Sequence, residues 1–139
     1  MLYFTISPKC LSTGNQTLFL YMDAGGVVSA NTQPQNWQIS FIPSLGQSVI
    51  INQKHNMMLA IGSFDGRVGR LQGVSLNLGN LPPHEGLWRF GTEAIQRGEN
   101  TSWNLNVLGS SYPDGSLVGV YHGWNNDTNE SWVCTPVIA

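Results

Sequence analysis

Between Leu105 and Trp132 the chain gathers the side chains best suited to holding a ligand: Asn106, Tyr121, His122, Gly123, Trp124, Asn129 and Glu130. The amides donate and accept hydrogen bonds, the carboxylate accepts them, and the rings offer flat apolar faces. Such a set recognises a molecule without breaking bonds in it. Catalysis finds no comparable set, because the chain has no G-x-S-x-G, no H-E-x-x-H and no P-loop. His55, His84 and His122 lie roughly 30 or more residues apart, with no metal-ligand spacing among them, so neither a metal nor a cofactor is expected. Asp127 and Glu130 are close in sequence but share one exposed loop. They lack the apolar pocket that would split two carboxyl groups into an acid and a base.

Several elements must position that set. Trp103-Asn104-Leu105-Asn106-Val107-Leu108 alternates apolar and small polar residues, the period of a half-buried strand. Pro113-Asp114-Gly115 then reads as a reversal, in which Pro presets φ, Asp caps locally and Gly takes the positive φ. Leu117, Val118, Val120 and Tyr121 make the return strand. A loop from His122 to Asn129 leads to the final strand at Trp132-Val133-Cys134. Trp124 has no backbone reason to stand in that Gly- and Asn-rich loop, whereas Asp65 and Asp114 read as turn residues and Trp103 as packing. His55 and His84 read as residues of solvated loops.

Only 10 % of the residues are charged, the formal net charge is −2, and the six basic residues are scattered. A nucleic-acid partner is therefore not expected, since neutralising phosphates takes clustered Lys and Arg. Sixteen Gly, seven Pro and many Asn, Ser and Thr call for numerous turns, and no stretch carries a helical apolar period, so the class is all-β. No apolar run reaches the ~18–20 residues that span a bilayer, and membrane insertion is not expected. Met1 to Ile6 reads as a first strand with no basic leader region. A cytoplasmic location is the expectation, or a secreted one if the chain is a mature form. The N-x-[ST] triplets at Asn15, Asn100, Asn126 and Asn129 are frequent by chance in such a composition. Cys10 and Cys134 lie near opposite ends, where a disulfide is conceivable in a closed fold and two unpaired buried thiols are the alternative.

Trp37, Trp88 and Trp132 each open a short apolar strand, spaced 51 and 44 residues apart, which marks them as core residues of an internal repeat. The repeat divides a single domain into lobes of about 1–43, 44–91 and 92–139. Strands are expected at Tyr3–Ser7, Thr17–Met22, Val27–Ala30 and Trp37–Ile42, then Ser48–Asn52, Met57–Gly62, Arg70–Ser75 and Trp88–Phe90. The last four are Thr92–Gln96, Trp103–Leu108, Leu117–Tyr121 and Trp132–Val137. Three lobes of four short strands cannot each bury a face alone, so they should share one core about a pseudo-threefold axis.

The threefold pattern and the Gln-x-Trp-like triplets Gln35-Asn36-Trp37, Gly86-Leu87-Trp88 and Glu130-Ser131-Trp132 resemble the ricin B-type β-trefoil lectins. The third lobe looks most like the small mushroom lectins of that fold. The resemblance implies noncatalytic binding of galactose or N-acetylgalactosamine-type glycans, chiefly in the third lobe. It implies sugar contacts from Asn106 and Asn129, stacking on Tyr121 or Trp124, a presenting loop at His122 and Gly123, and an orienting role for Glu130. Two positions depart from the family's pattern, with Asn106 where an Asp is usual and Glu130 where a Gln is usual. In the first lobe Asp23 is a loose match and Pro34 stands where the motif wants Asn. In the second, Ala60 cannot hydrogen-bond. Shallow sugar sites act best in numbers, so a homodimer is expected. The alternative the resemblance leaves open is a trefoil protease inhibitor acting through the loop Gly79 to Gly86, with its two prolines.

Overall fold

The computed structural model describes residues 2–76 and 84–138. The described residues form twelve strands, β1 (Tyr3–Pro8), β2 (Phe19–Met22), β3 (Val28–Asn31), β4 (Trp37–Ile42), β5 (Gln47–Asn52), β6 (Met57–Asp65), β7 (Val68–Ser75), β8 (Trp88–Phe90), β9 (Ile95–Arg97), β10 (Trp103–Val107), β11 (Ser116–His122) and β12 (Trp132–Val137). A short 3-10 turn at His84–Gly86 precedes β8. Most of the loop from Gly79 to Gly86 lies outside the described residues.

Six strands pair antiparallel in succession, β12 with β1, β1 with β4, β4 with β5, β5 with β8 and β8 with β9. The ring is brought round by Trp132, whose backbone N donates to Glu93 O at 2.7 Å, and by the ion pair between Lys9 and Glu93 on the same side. The other six strands form three hairpins, β2–β3, β6–β7 and β10–β11, and β11 pairs with both β3 and β7, so the hairpins meet one another.

The core shows why three tryptophans recur. Trp37 Nε1 donates to Leu20 O at 3.1 Å, Trp88 Nε1 to Leu59 O at 3.0 Å and Trp132 Nε1 to Leu105 O at 2.9 Å. Each bond runs from the last strand of a block of four to the second strand of the same block. Each lets a large ring be buried without stranding its one polar atom. Leu20, Leu59 and Leu105 are fully buried, and Ile6, Ile50 and Ile95 fill the matching places on β1, β5 and β9.

The second hairpin is longer than its sequence implies. Gly62, read as a strand end, sits at a bulge between the pairs Ile61↔Leu71 and Ser63↔Arg70, and the ladder continues to Asp65↔Val68. A bulge inserts one residue and bends a strand without ending it. Asp114, expected at a turn, has a further task. Its carboxylate accepts from Thr32 N at 2.9 Å and Thr32 Oγ1 at 3.1 Å, tying the β10–β11 connection to the end of β3. β9 begins later than expected because Glu93 takes a positive φ of 63° in the turn before it.

Cys10 and Cys134 are both free thiols. β1 and β12 do pair, but Cys134 stands opposite Ile6, and Cys10 lies four residues further along, beyond the end of the ladder. Burial pushes both thiols up to about 11, partly offset at Cys10 by a backbone hydrogen bond. At pH 8 only about a thousandth of each would be thiolate. A disulfide-exchange reagent is therefore expected to label the native protein slowly and the denatured one at once; rapid labelling of the native state would contradict this burial. The sign for stability is that a thiol raised in the folded state ionises first in the unfolded chain. Its contribution is complete below about pH 8.5 and is lost as pH climbs towards 11.

Candidate functional site

The site is built on the β10–β11 hairpin and the loop before β12. Alternation along β11 sends Val118 and Val120 into the core and Tyr121 to the opposite face, where it is 37 % exposed. There an open hollow of about 290 Å³ is lined by Asn106, Tyr121, Asn125, Asp127, Asn129 and Glu130, with Val68, Leu108 and Gly109 along its apolar side. Val68 belongs to the second hairpin and arrives through the pair Tyr121↔Val68.

Beneath the hollow runs a chain of hydrogen bonds whose direction is fixed by its ends. Val107 O can only accept, so the Asn129 atom facing it at 3.1 Å is Nδ2. The same Nδ2 donates to Asn106 Oδ1 at 2.7 Å, which leaves Asn106 Nδ2 to donate to Glu130 Oε2 at 3.3 Å. The other carboxylate oxygen, Glu130 Oε1, accepts from Asn125 N at 2.6 Å and Asp127 N at 3.2 Å. Glu130 is only 3 % exposed and Asn106 only 5 %. A buried carboxylate is tolerated here because its oxygens are met by an amide and two backbone donors. Glu130 thus holds the 125–127 backbone in place, and Asn106 is turned inward to satisfy it.

What remains for a ligand is clear from what the network does not use. Among the described residues no hydrogen bond engages Asn129 Oδ1, the Asn125 side-chain amide or the Asp127 carboxylate, and Asn125 and Asp127 are exposed. The hollow therefore combines a carboxylate, two amides and a phenol ring.

Of the residues that sequence points to, Asn106, Tyr121, Asn129 and Glu130 come together, whereas His122, Gly123 and Trp124 are placed elsewhere. His122 packs edge-on against Trp103, ring centroids 5.1 Å apart, and Trp103 in turn meets Phe64 at 4.8 Å. The reason is the strand period, which turns His122 away from the face that Tyr121 occupies. Gly123 takes a φ of 128° to leave the strand, and its carbonyl accepts from Asn104 Nδ2 at 2.8 Å, a structural task. Trp124 is 41 % exposed but is not among the residues lining the hollow. Asn125 and Asp127, in the loop that sequence marks, were open to detection as polar neighbours of Asn129. Val68 was not, because its approach depends on pairing between distant strands.

The second hairpin has a corresponding hollow lined by Ala60, Phe64, Val74 and Glu85 among others. Val74 stands opposite Met58 as Tyr121 stands opposite Asn104, so this hollow has neither the amide of Asn106 nor the tyrosine.

Strand order and pairing fit a β-trefoil, the fold of solved structures to which this chain is similar. No protein-family model matches the sequence, and no curated protein matches it. ThreeFoil, a designed threefold-symmetric protein, is similar with a TM-score of 0.74 at 16 % identity, over 96 % of this chain and 97 % of that one. The Rhizoctonia solani agglutinin gives 0.69 at 14 % identity, over 96 % and 93 % of the two chains. The C-half of an earthworm R-type lectin, solved in complex with GalNAc, gives 0.67 at 13 % identity, over 99 % and 100 %.

Proposed function

We propose that the chain is one domain of three lobes about a pseudo-threefold axis. We further propose that it is a lectin, binding galactose or N-acetylgalactosamine-type glycans without catalysis in the hollow of its third lobe. The observation that carries this reading is the hollow itself, where the Asp127 carboxylate and the Asn129 and Asn125 amides share one opening with the Tyr121 ring. A pyranose needs paired hydrogen-bond partners for its hydroxyls and an apolar surface for its C–H face. Asn106 does not carry the charge that the lectin pattern places there, but Asp127 brings a carboxylate to the same hollow. Charge-assisted hydrogen bonds are roughly twice as strong as neutral ones. The GalNAc named with the earthworm lectin, a protein of the same fold, agrees with this sugar class.

Glycan-array binding and titration with galactose test it. Tyr121→Ala removes an exposed ring and is expected to weaken binding about tenfold, the equivalent of about 1.4 kcal/mol, without unfolding the chain. Asn129→Ala should do at least as much, whereas Trp124→Ala should leave binding intact. Undiminished binding in Tyr121→Ala and Asn129→Ala would place the sugar elsewhere. A single shallow site binds weakly, so the reading includes a homodimer that gains by avidity, measurable by sedimentation.

A further inference from the structure

The hollow beside Tyr121 does not end at its apolar side. Val68, Leu108 and Gly109 also wall a second, larger recess of about 680 Å³, against about 290 Å³ for the first. The junction is open on the Gly109 side, where nothing stands within 4 Å of the place a Cβ would take. The recess lies where the three hairpins meet, and its further walls are mostly aliphatic, with Val27 and Val28 from the first hairpin, Leu71 from the second, Leu117 and Val118 from the third, and Gln72 as a polar side chain beside Arg70. Val27 and Leu117 are 50 % and 49 % exposed, leaving much of this apolar surface in water. Among the described residues no aromatic ring lines it, and Arg70 stands on its wall.

A polar cup that opens into an aliphatic recess fits an amphiphile better than a free sugar. We infer that the two hollows are one site and that its ligand class is glycosides with an apolar aglycone, the sugar in the cup beside Tyr121 and an alkyl or acyl chain in the recess. The inference rests on the sugar reading and adds to it the part of the ligand beyond the ring. Each methylene that leaves water strengthens binding, and the open recess would realise part of that gain for each carbon.

Titration calorimetry with methyl and hexyl galactosides, both anomers of each, separates the two claims. Hexyl galactoside is expected to bind about tenfold or more tightly than methyl galactoside. In Leu117→Gln combined with Val27→Thr, both exposed positions, that advantage should vanish while methyl galactoside binds as before. Equal affinity for the two glycosides in the unmodified protein, or an advantage that survives the double substitution, overturns the recess and leaves the sugar reading standing. Failure of every galactoside to bind overturns the sugar reading, and this one with it. A larger gain from galactose 6-sulfate than from the hexyl chain would make the recess an anion subsite on Arg70 and overturn the assignment.

Discussion

Asn106→Asp should destabilise the protein by ~2–4 kcal/mol at pH 7, and adding Glu130→Gln should restore most of the loss. The first substitution faces the Glu130 carboxylate with a second one, across a contact of 3.3 Å between residues that are 5 % and 3 % exposed. Neither charge can retreat into water, and the amide proton that joined the two groups is gone. In the double variant the carboxylate and the amide have changed places, so the pair again contains one donor and one acceptor. Glu130→Gln alone removes one acceptor from a group that serves Asn106 Nδ2, Asn125 N and Asp127 N, and should cost ~1–2 kcal/mol. Chemical denaturation of the four proteins then gives a coupling of at least ~2 kcal/mol. Additive losses would mean that the two side chains do not sense each other, and the hydrogen-bond chain described above would be wrong.

This pair also explains the two departures from the lectin pattern. Taken separately, Asn in place of Asp at 106 and Glu in place of Gln at 130 look like two losses. In contact they are one exchange, which keeps an amide against a carboxylate and moves the charge from position 106 to position 130.

Trp88→Ala is expected to cost ~3–5 kcal/mol, a large part of the ~5–15 kcal/mol that holds a domain of this kind together. The ring is completely buried, and its removal leaves both a cavity and a stranded carbonyl at Leu59. Trp88→Phe separates the two effects, since it keeps most of the apolar volume but cannot donate; a residual loss of ~1–3 kcal/mol is the expected cost of the unmet carbonyl. The same ordering should hold at Trp37 and Trp132, whose indoles donate to Leu20 O and Leu105 O. A Trp88→Ala protein that melts within a degree or two of the parent, about 0.5 kcal/mol or less, would remove these bonds from the account of the core.

How much of this could be read from the sequence depends on the range of the interaction involved. Strand identity was legible because it follows from local alternation: all twelve expected strands are present, most shifted by a residue or two at an end. The β6–β7 extension was missed because a bulge at Gly62 and a strand end at Gly62 look alike locally. Within the candidate site, Asn106, Tyr121, Asn129 and Glu130 were legible from the motif. His122, which the motif also marks, stands on the other face, because the parity of the strand sends alternate residues to opposite faces. Val68 reaches the hollow only through the pairing of β11 with β7, and no local pattern announces a contact between residues 53 positions apart.

The pairing of β1 with β12, from Tyr3↔Val137 to Pro8↔Trp132, bears on how the protein is made. During synthesis the first strand emerges with its hydrogen-bonding edge bare, and its partner strand follows only later, Trp132 lying 124 residues beyond Pro8. Until then the nascent chain cannot seal, since β12 and the Trp132 ring are both missing from it. A chain cut short before Trp132 would keep an open sheet edge, the kind of surface on which strands from separate molecules add to one another.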